Sequence, residues 1–96
     1  MGGAQLPSLL DIAARAIEVT EASRFRALSK VALHDAYKEW KRRHAIGRVE
    51  ADTLNWSLMM AETKPAYARL EKAKAAERNA LRRLATAVRR YQEGGK

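Results

Sequence analysis

Apolar and polar positions along this chain recur with the period of a helix almost from end to end. Over residues 8–22, Leu9, Leu10, Ile12, Ala13, Ala16, Ile17 and Val19 are read as one apolar side, and Asp11, Glu18 and Glu21 as an acidic outer face. Ser8 followed by Asp11 resembles a capping box, and Pro7 closes a loose leader over 1–7 that contains Gly2 and Gly3. A second apolar side, with Phe25, Leu28, Ala32, Leu33, Ala36, Tyr37 and Trp40, predicts a helix over 24–46. Ser23 is placed as its cap, with a break near 21–24, because one helix from 8 to 46 is long for a small domain. Gly47 suits a left-handed C-cap, with Arg42, Arg43 and His44 in the last turn.

A third helix is expected over 50–62, where Val49 and Leu54 have the spacing of a hydrophobic staple. Its residues Leu54, Trp56, Leu58, Met59, Met60 and Ala61 are apolar on more than one side, so it lies centrally or is covered by a partner. Thr63 before Lys64-Pro65 reads as the N-cap of a fourth helix over 64–92, ended by Gly94 and Gly95. One long kinked helix from 50 to 92 is the alternative. In the fourth helix Tyr67, Leu70, Lys74, Glu77, Leu81, Leu84, Val88 and Tyr91 follow the 3–4 alternation of a coiled-coil seam. Ala66, Ala73, Ala80 and Ala87 flank it every seventh residue, which allows another helix to approach closely. Lys74 and Glu77 interrupt the seam. Either both reach solvent beyond the ends of shorter partner helices, or they form a polar pairing that fixes register.

These elements define an all-α fold and a single helical domain: a compact three- or four-helix bundle with a long C-terminal helix, or a helical hairpin. Composition agrees. The 96 residues include only five Gly and two Pro, and residues with strong helix propensity dominate. No alternating run with β-branched filling predicts a strand. No apolar stretch approaches the roughly 18 residues of a membrane span. The absence of Cys excludes disulfides, thiol catalysis and Cys-based zinc sites, and it fits a reducing, cytoplasmic setting; no secretory signal is read at the N-terminus.

Catalytic chemistry finds no foothold. His34 and His44 are ten residues apart, which on one helix sets them about 80° from eclipsing and about 15 Å apart along the axis. Asp35 is adjacent to His34, and adjacent helical residues do not face each other. No phosphate-binding Gly loop, nucleophile elbow or H-E-x-x-H motif is present. The expectation is a non-enzyme without cofactor or metal. Asn55-Trp56-Ser57 matches a glycosylation sequon by chance.

Charge is what points to a partner. The chain carries 19 basic and 11 acidic residues, a net charge of +8. Residues 1–22 hold Arg15 against Asp11, Glu18 and Glu21, so the positive excess lies entirely in 23–96. Lys30, His34, Lys38 and Lys41 fall on successive turns of the second helix, widened by Arg24 and Arg42. The strip is roughly 15–25 Å long, enough to follow several phosphates of one strand. On the fourth helix, Lys72, Arg83 and Arg90 frame one edge of the seam and Arg78, Arg82 and Arg89 the other. Charged seam edges also serve solubility and helix pairing, but three acids on the first helix cannot neutralise the excess elsewhere. Nucleic-acid contact is therefore expected at Arg24, Lys30, Lys38, Lys41, Arg42, Arg78, Arg82, Arg83, Arg89 and Arg90. It would be directed at the backbone, since the helix–turn–helix pattern around Gly47 lacks its small residue and no strand is present for sheet-based RNA reading. The alternative is a small adaptor or inhibitor of mobile-element type docking on an acidic protein surface. There Trp56, Met59 and Met60 would anchor and the arginine edges would steer. Self-association through the fourth helix is a further option, as is a purely structural helix-pairing subunit.

Overall fold

The computed structural model describes the backbone of residues 2–94 and the side chains of residues 6–94. Three helices and no strands are found there: α1 (Gly2–Arg43), α2 (Leu54–Glu62) and α3 (Lys64–Gly94). α1 and α3 pack antiparallel along most of their length, and α2 is a short element at the turn end. The molecule is a rod of 67 × 19 × 17 Å with a radius of gyration of 20.4 Å. A compact domain of this length has about 12.5 Å. The all-α expectation holds and the compact bundle does not: the architecture is an extended helical hairpin.

The expected break near 21–24 is absent. α1 runs unbroken for 42 residues, starting before Pro7 rather than after a leader. Residue 1 of that leader lies outside the described residues. Ser23 does not cap because its hydroxyl is used elsewhere, donating across the hairpin to Glu77 Oε2 at 2.8 Å. Nothing else between Pro7 and Gly47 opposes helix, since that stretch contains neither Gly nor Pro.

The hairpin seam is built of small side chains. On α3, Ala73, Ala80 and Ala87 are 0, 1 and 3 % exposed, whereas Tyr67 and Leu81 of the expected seam are 49 and 48 % exposed. α3 is thus rolled so that its alanine heptad, with Leu70, meets α1. On the α1 side Ser29, Leu33 and Trp40 are buried. Towards the N-terminus the face turned to α3 includes Asp11, Arg15 and Glu18, while Leu10 and Ile17 are 61 and 60 % exposed. The expected orientation of residues 8–22 is thus rotated rather than kept: Leu10 and Ile17 turn outward and Asp11 and Glu18 inward, while Ile12 and Val19 stay half-buried and Glu21 stays exposed. The unbroken helix carries the phase set by the buried Ser29, Leu33 and Trp40 side into this segment, and Glu18 there pairs with Arg83 at 3.2 Å.

The turn is set by caps. Ile46 N–H donates to the Lys41 carbonyl at 2.9 Å and Ala45 N–H to Arg42 at 3.2 Å, a Schellman arrangement that ends α1. Its left-handed residue is Ala45, with φ 53°, not Gly47. Trp40, only 2 % exposed, stacks on His44 with ring centroids 4.1 Å apart. His44 Nδ1 also lies 2.8 Å from the Trp40 carbonyl oxygen. The third helix begins at Leu54 rather than at Glu50, because Thr53 is the cap: its Oγ1 accepts from Trp56 N–H at 3.2 Å. Thr63 separates α2 from α3 by one residue without capping forward. Its hydroxyl donates back to the Met59 carbonyl at 2.6 Å, and Pro65 follows in the first turn of α3, where its missing N–H costs least. α3 continues through Gly94, and Gly95 lies outside the described residues.

Two outcomes follow. Ala45→Gly removes the penalty of a β-carbon in the left-handed region and raises stability by about 1 kcal/mol, read as a higher urea midpoint with unchanged slope. Ala80→Leu forces the helices apart at the narrowest part of the seam and lowers stability by about 1–3 kcal/mol in the same assay.

Candidate functional site

The ten basic side chains expected to meet phosphate divide by their partners. Three are engaged by carboxylates. Arg42 forms a two-pronged contact with Glu39 at 2.9 and 2.6 Å, Arg83 reaches Glu18, and Arg89 lies 3.9 Å from Glu93. Among the described residues no carboxylate comes within 4.0 Å of Arg24, Lys30, Lys38, Lys41, Arg78, Arg82 or Arg90.

The fold arranges these groups as two patches. Lys30, Lys38 and Lys41 occupy the half of α1 nearest the turn, and between them His34 stacks on Tyr37 at 6.5 Å. Arg82, Arg83 and Arg90 of α3 line a groove with Arg15, Thr86 and Asp11, near the other end of the rod. Because α3 runs antiparallel, this groove is separated from Lys30 by about 22 Å of α1 at 1.5 Å per residue. Arg78 and Arg89 lie on the outer face of α3. The two patches expected from the sequence therefore lie end to end rather than side by side. Arg15 and Thr86 were not expected there; the signal was the reach from Glu18 to the arginine doublet, which required knowing that α1 turns its acids inward.

The residues proposed to anchor a protein are distributed differently. Met59 is 5 % exposed and belongs to the hairpin's own core, so it is not available to a partner. Met60 is half-buried, with its sulfur 3.8 Å from the Tyr37 hydroxyl. Trp56 is half-buried, and the most exposed apolar residues of α2 are Leu54 and Leu58, at 75 and 51 %.

Across the hairpin the acids do structural work. Glu77, in the middle of the sequence seam, accepts from Ser23 at 2.8 Å and from Arg26 at 2.6 Å. Of the two readings of that interruption, cross-helix pairing describes Glu77, while Lys74 pairs within α3 with Glu71 at 3.3 Å. The Ser23 hydrogen bond, then the Arg26 guanidinium, holds the Glu77 carboxyl below its ordinary range. At Glu18 partial burial opposes ionisation, but hydrogen bonds and charge from Arg83 and Arg15 together outweigh it and the pKa is again lowered. At the turn end Arg43 holds Glu62 down through contacts of 2.6 and 3.2 Å. Burial pushes the Tyr37 hydroxyl up. Among the described residues no three His, Asp or Glu side chains gather as a metal cage, and no helix is long and apolar enough to cross a membrane.

Compared with known proteins, the chain matches no family, no curated protein and no solved structure.

The lowered carboxylates predict the direction of acid sensitivity. A folded-state pKa below the unfolded value adds stability that is present above the ordinary value of 4.5 and is lost as pH falls through the folded one. Thermal melts by circular dichroism between roughly pH 7 and roughly pH 3 should show stability falling on the acid limb. Glu77→Gln should begin from a lower plateau and show a flatter acid limb. An unchanged limb would remove Glu77 from the acid response.

Proposed function

We propose that the chain is a non-catalytic, basic helical protein that associates with nucleic acid. In this reading it is a small subunit of a nucleoprotein complex that holds the phosphate backbone without reading bases. The observation that carries the reading is the charge left over after folding. Glu18, Glu39, Glu62 and Glu77 are engaged in ion pairs, yet seven of the ten expected contact residues have no carboxylate partner among the described residues. Glu18, Glu62 and Glu77 pair between helices and Glu39 pairs within α1, so these strips keep their charge, and uncompensated charge of this kind favours association with an acidic partner.

The rod shape suits such a partner. Lys30, Lys38 and Lys41 extend over about 16 Å of helix, comparable to four or five phosphates at about 3.4 Å along a strand. The Arg82–Arg90 groove offers guanidinium groups, which bind phosphate in two-pronged fashion, and a Thr86 hydroxyl beside them. Arg42 and Arg83 belong to the hairpin's ion pairs first, so their contribution to binding is expected to be smaller. With no strand or recognition helix directed at base edges, affinity should depend on salt far more than on sequence.

The test is binding of the full chain to a labelled duplex and to a single strand, each of arbitrary sequence, across a salt series. A log–log slope steeper than about −3 supports simultaneous contact with several phosphates. The variant Lys38→Glu/Lys41→Glu should bind at least roughly tenfold more weakly at low salt and flatten the slope by about two, with helical content retained. No binding of wild-type protein at about 50 mM salt, where attraction is strongest, would overturn the reading.

A further inference from the structure

α1 carries a second 3–4 series on a side that α3 does not cover. It consists of Leu10, Ala14, Ile17, Glu21, Arg24, Leu28, Val31 and Asp35, and all eight side chains are exposed. At 100° per residue they form a stripe about 100° wide, centred roughly 130° from the buried Ser29–Leu33–Trp40 side. Leu10, Ile17, Leu28 and Val31 are 61, 60, 62 and 57 % exposed, so four large apolar groups lie along one line on a helix of a highly charged protein. Two exposed apolar clusters, Leu10–Ala14–Ile17 and Leu28–Val31, flank the charged pair Glu21 and Arg24, and apolar surface left open on so charged a rod marks an interaction site.

The series has a property that identifies its occupant. Its spacings run four, three, four, three, four, three, four, and therefore read the same in both directions. When a second α1 is laid antiparallel on the first with Glu21 opposite Arg24, the layers become Ala14 against Val31 and Ile17 against Leu28. Each occurs twice about a two-fold axis, with Leu10 and Asp35 meeting at the ends. Large apolar side chains then meet in the inner layers, with Ala14 leaving room for Val31. The central layer is a pair of opposite charges formed twice. Glu21 and Arg24 have no ion-pair partner among the described residues of their own chain, which leaves both available for this contact. A parallel pairing would instead set Glu21 against Glu21 and Arg24 against Arg24, the like-charge arrangement that coiled coils use to reject a register.

We infer that the occupant of this stripe is a second copy of the chain, joined α1 to α1 in antiparallel register to give a two-fold assembly of two hairpins. Such an interface is self-complementary, as closed dimers require. It does not depend on the nucleic-acid reading, although it withdraws Arg24 from the phosphate contacts. Lys30 and Lys41 lie well away from the stripe on the wheel and remain outside the interface, Lys38 borders its end three residues beyond Asp35, and the assembly presents Lys30, Lys41 and the arginine groove twice.

Sedimentation equilibrium or light scattering over a range of concentrations tests this. The expected mass is twice the 10.8 kDa of the chain. Ile17→Lys should yield a monomer. Because that variant also changes a long helix, Glu21→Arg gives an independent measure: it sets arginine against arginine and should weaken the dimer by roughly tenfold or more. Adding Arg24→Glu restores the pairing with its signs exchanged and should restore the dimer. A parallel dimer would not be weakened by Glu21→Arg, which exchanges one like-charge layer for another. A monomeric wild type at every concentration, or a dimer indifferent to Glu21→Arg, overturns the inference.

Discussion

The contact on which the rest of this protein depends is the approach of α1 to a row of alanines on α3. Ala73, Ala80 and Ala87 carry only a methyl group each, and they are the most completely covered residues of α3. Small side chains let helices pack closely along their length, but they bury little apolar area per turn. The seam is narrow, and the larger apolar groups are left to either side of it. Direction and register must then come from elsewhere, and Glu77 with Ser23 and Arg26, Glu18 with Arg83, and Glu62 with Arg43 provide them. Bulkier burial is concentrated near the turn, where Trp40, Leu33, Met59 and Leu70 lie.

A hairpin of two helices can cover one stripe on each, which explains where sequence pattern succeeded and failed. Helical content was legible throughout, because it follows from local propensity and from the scarcity of Gly and Pro. The register of α3 is legible in part: the heptad alanines stand out as a route for close approach, but the larger residues beside them carry the stronger apolar pattern. The largest apolar residues are ordinarily buried first, and α3 instead buries three alanines most completely, with Leu70 the one large residue of the expected seam buried beside them. On α1 the same assumption turns Leu10 and Ile17 inward and Glu18 outward, whereas the unbroken helix keeps the phase of its buried Ser29–Leu33–Trp40 side and sets Glu18 against Arg83.

Element boundaries failed for related reasons. Ser23, Thr53 and Thr63 are all good N-capping residues, and of the three only Thr53 N-caps through its side chain, while Thr63 closes α2 as its C-cap. Ser23 is taken by Glu77 across the hairpin and Thr63 by the carbonyl behind it, partners that are invisible without the tertiary structure. The left-handed position falls on Ala45 although Gly47 is two residues away, where the Schellman hydrogen bonds close α1 and His44 stacks on Trp40. For the candidate site, the basic residues were legible one by one. Their division into two separated patches, and the pairing of Arg83 with Glu18, required the antiparallel arrangement, whereas the Arg42–Glu39 pair lies three residues apart on one helix.

The seven-residue spacing of the alanines also limits how the gene for such a protein can change in length. One residue inserted into α3 would rotate everything beyond it by about 100°, carrying the downstream alanines off the seam and the arginine groove to another side of the rod. Insertions or deletions of seven are nearly neutral in phase, and those of three or four leave an offset that supercoiling can partly absorb. The connection between Arg43 and Leu54 bears no such phase requirement. Length variation among descendants of this sequence should therefore collect in that turn, while the two long helices drift in composition and keep their count.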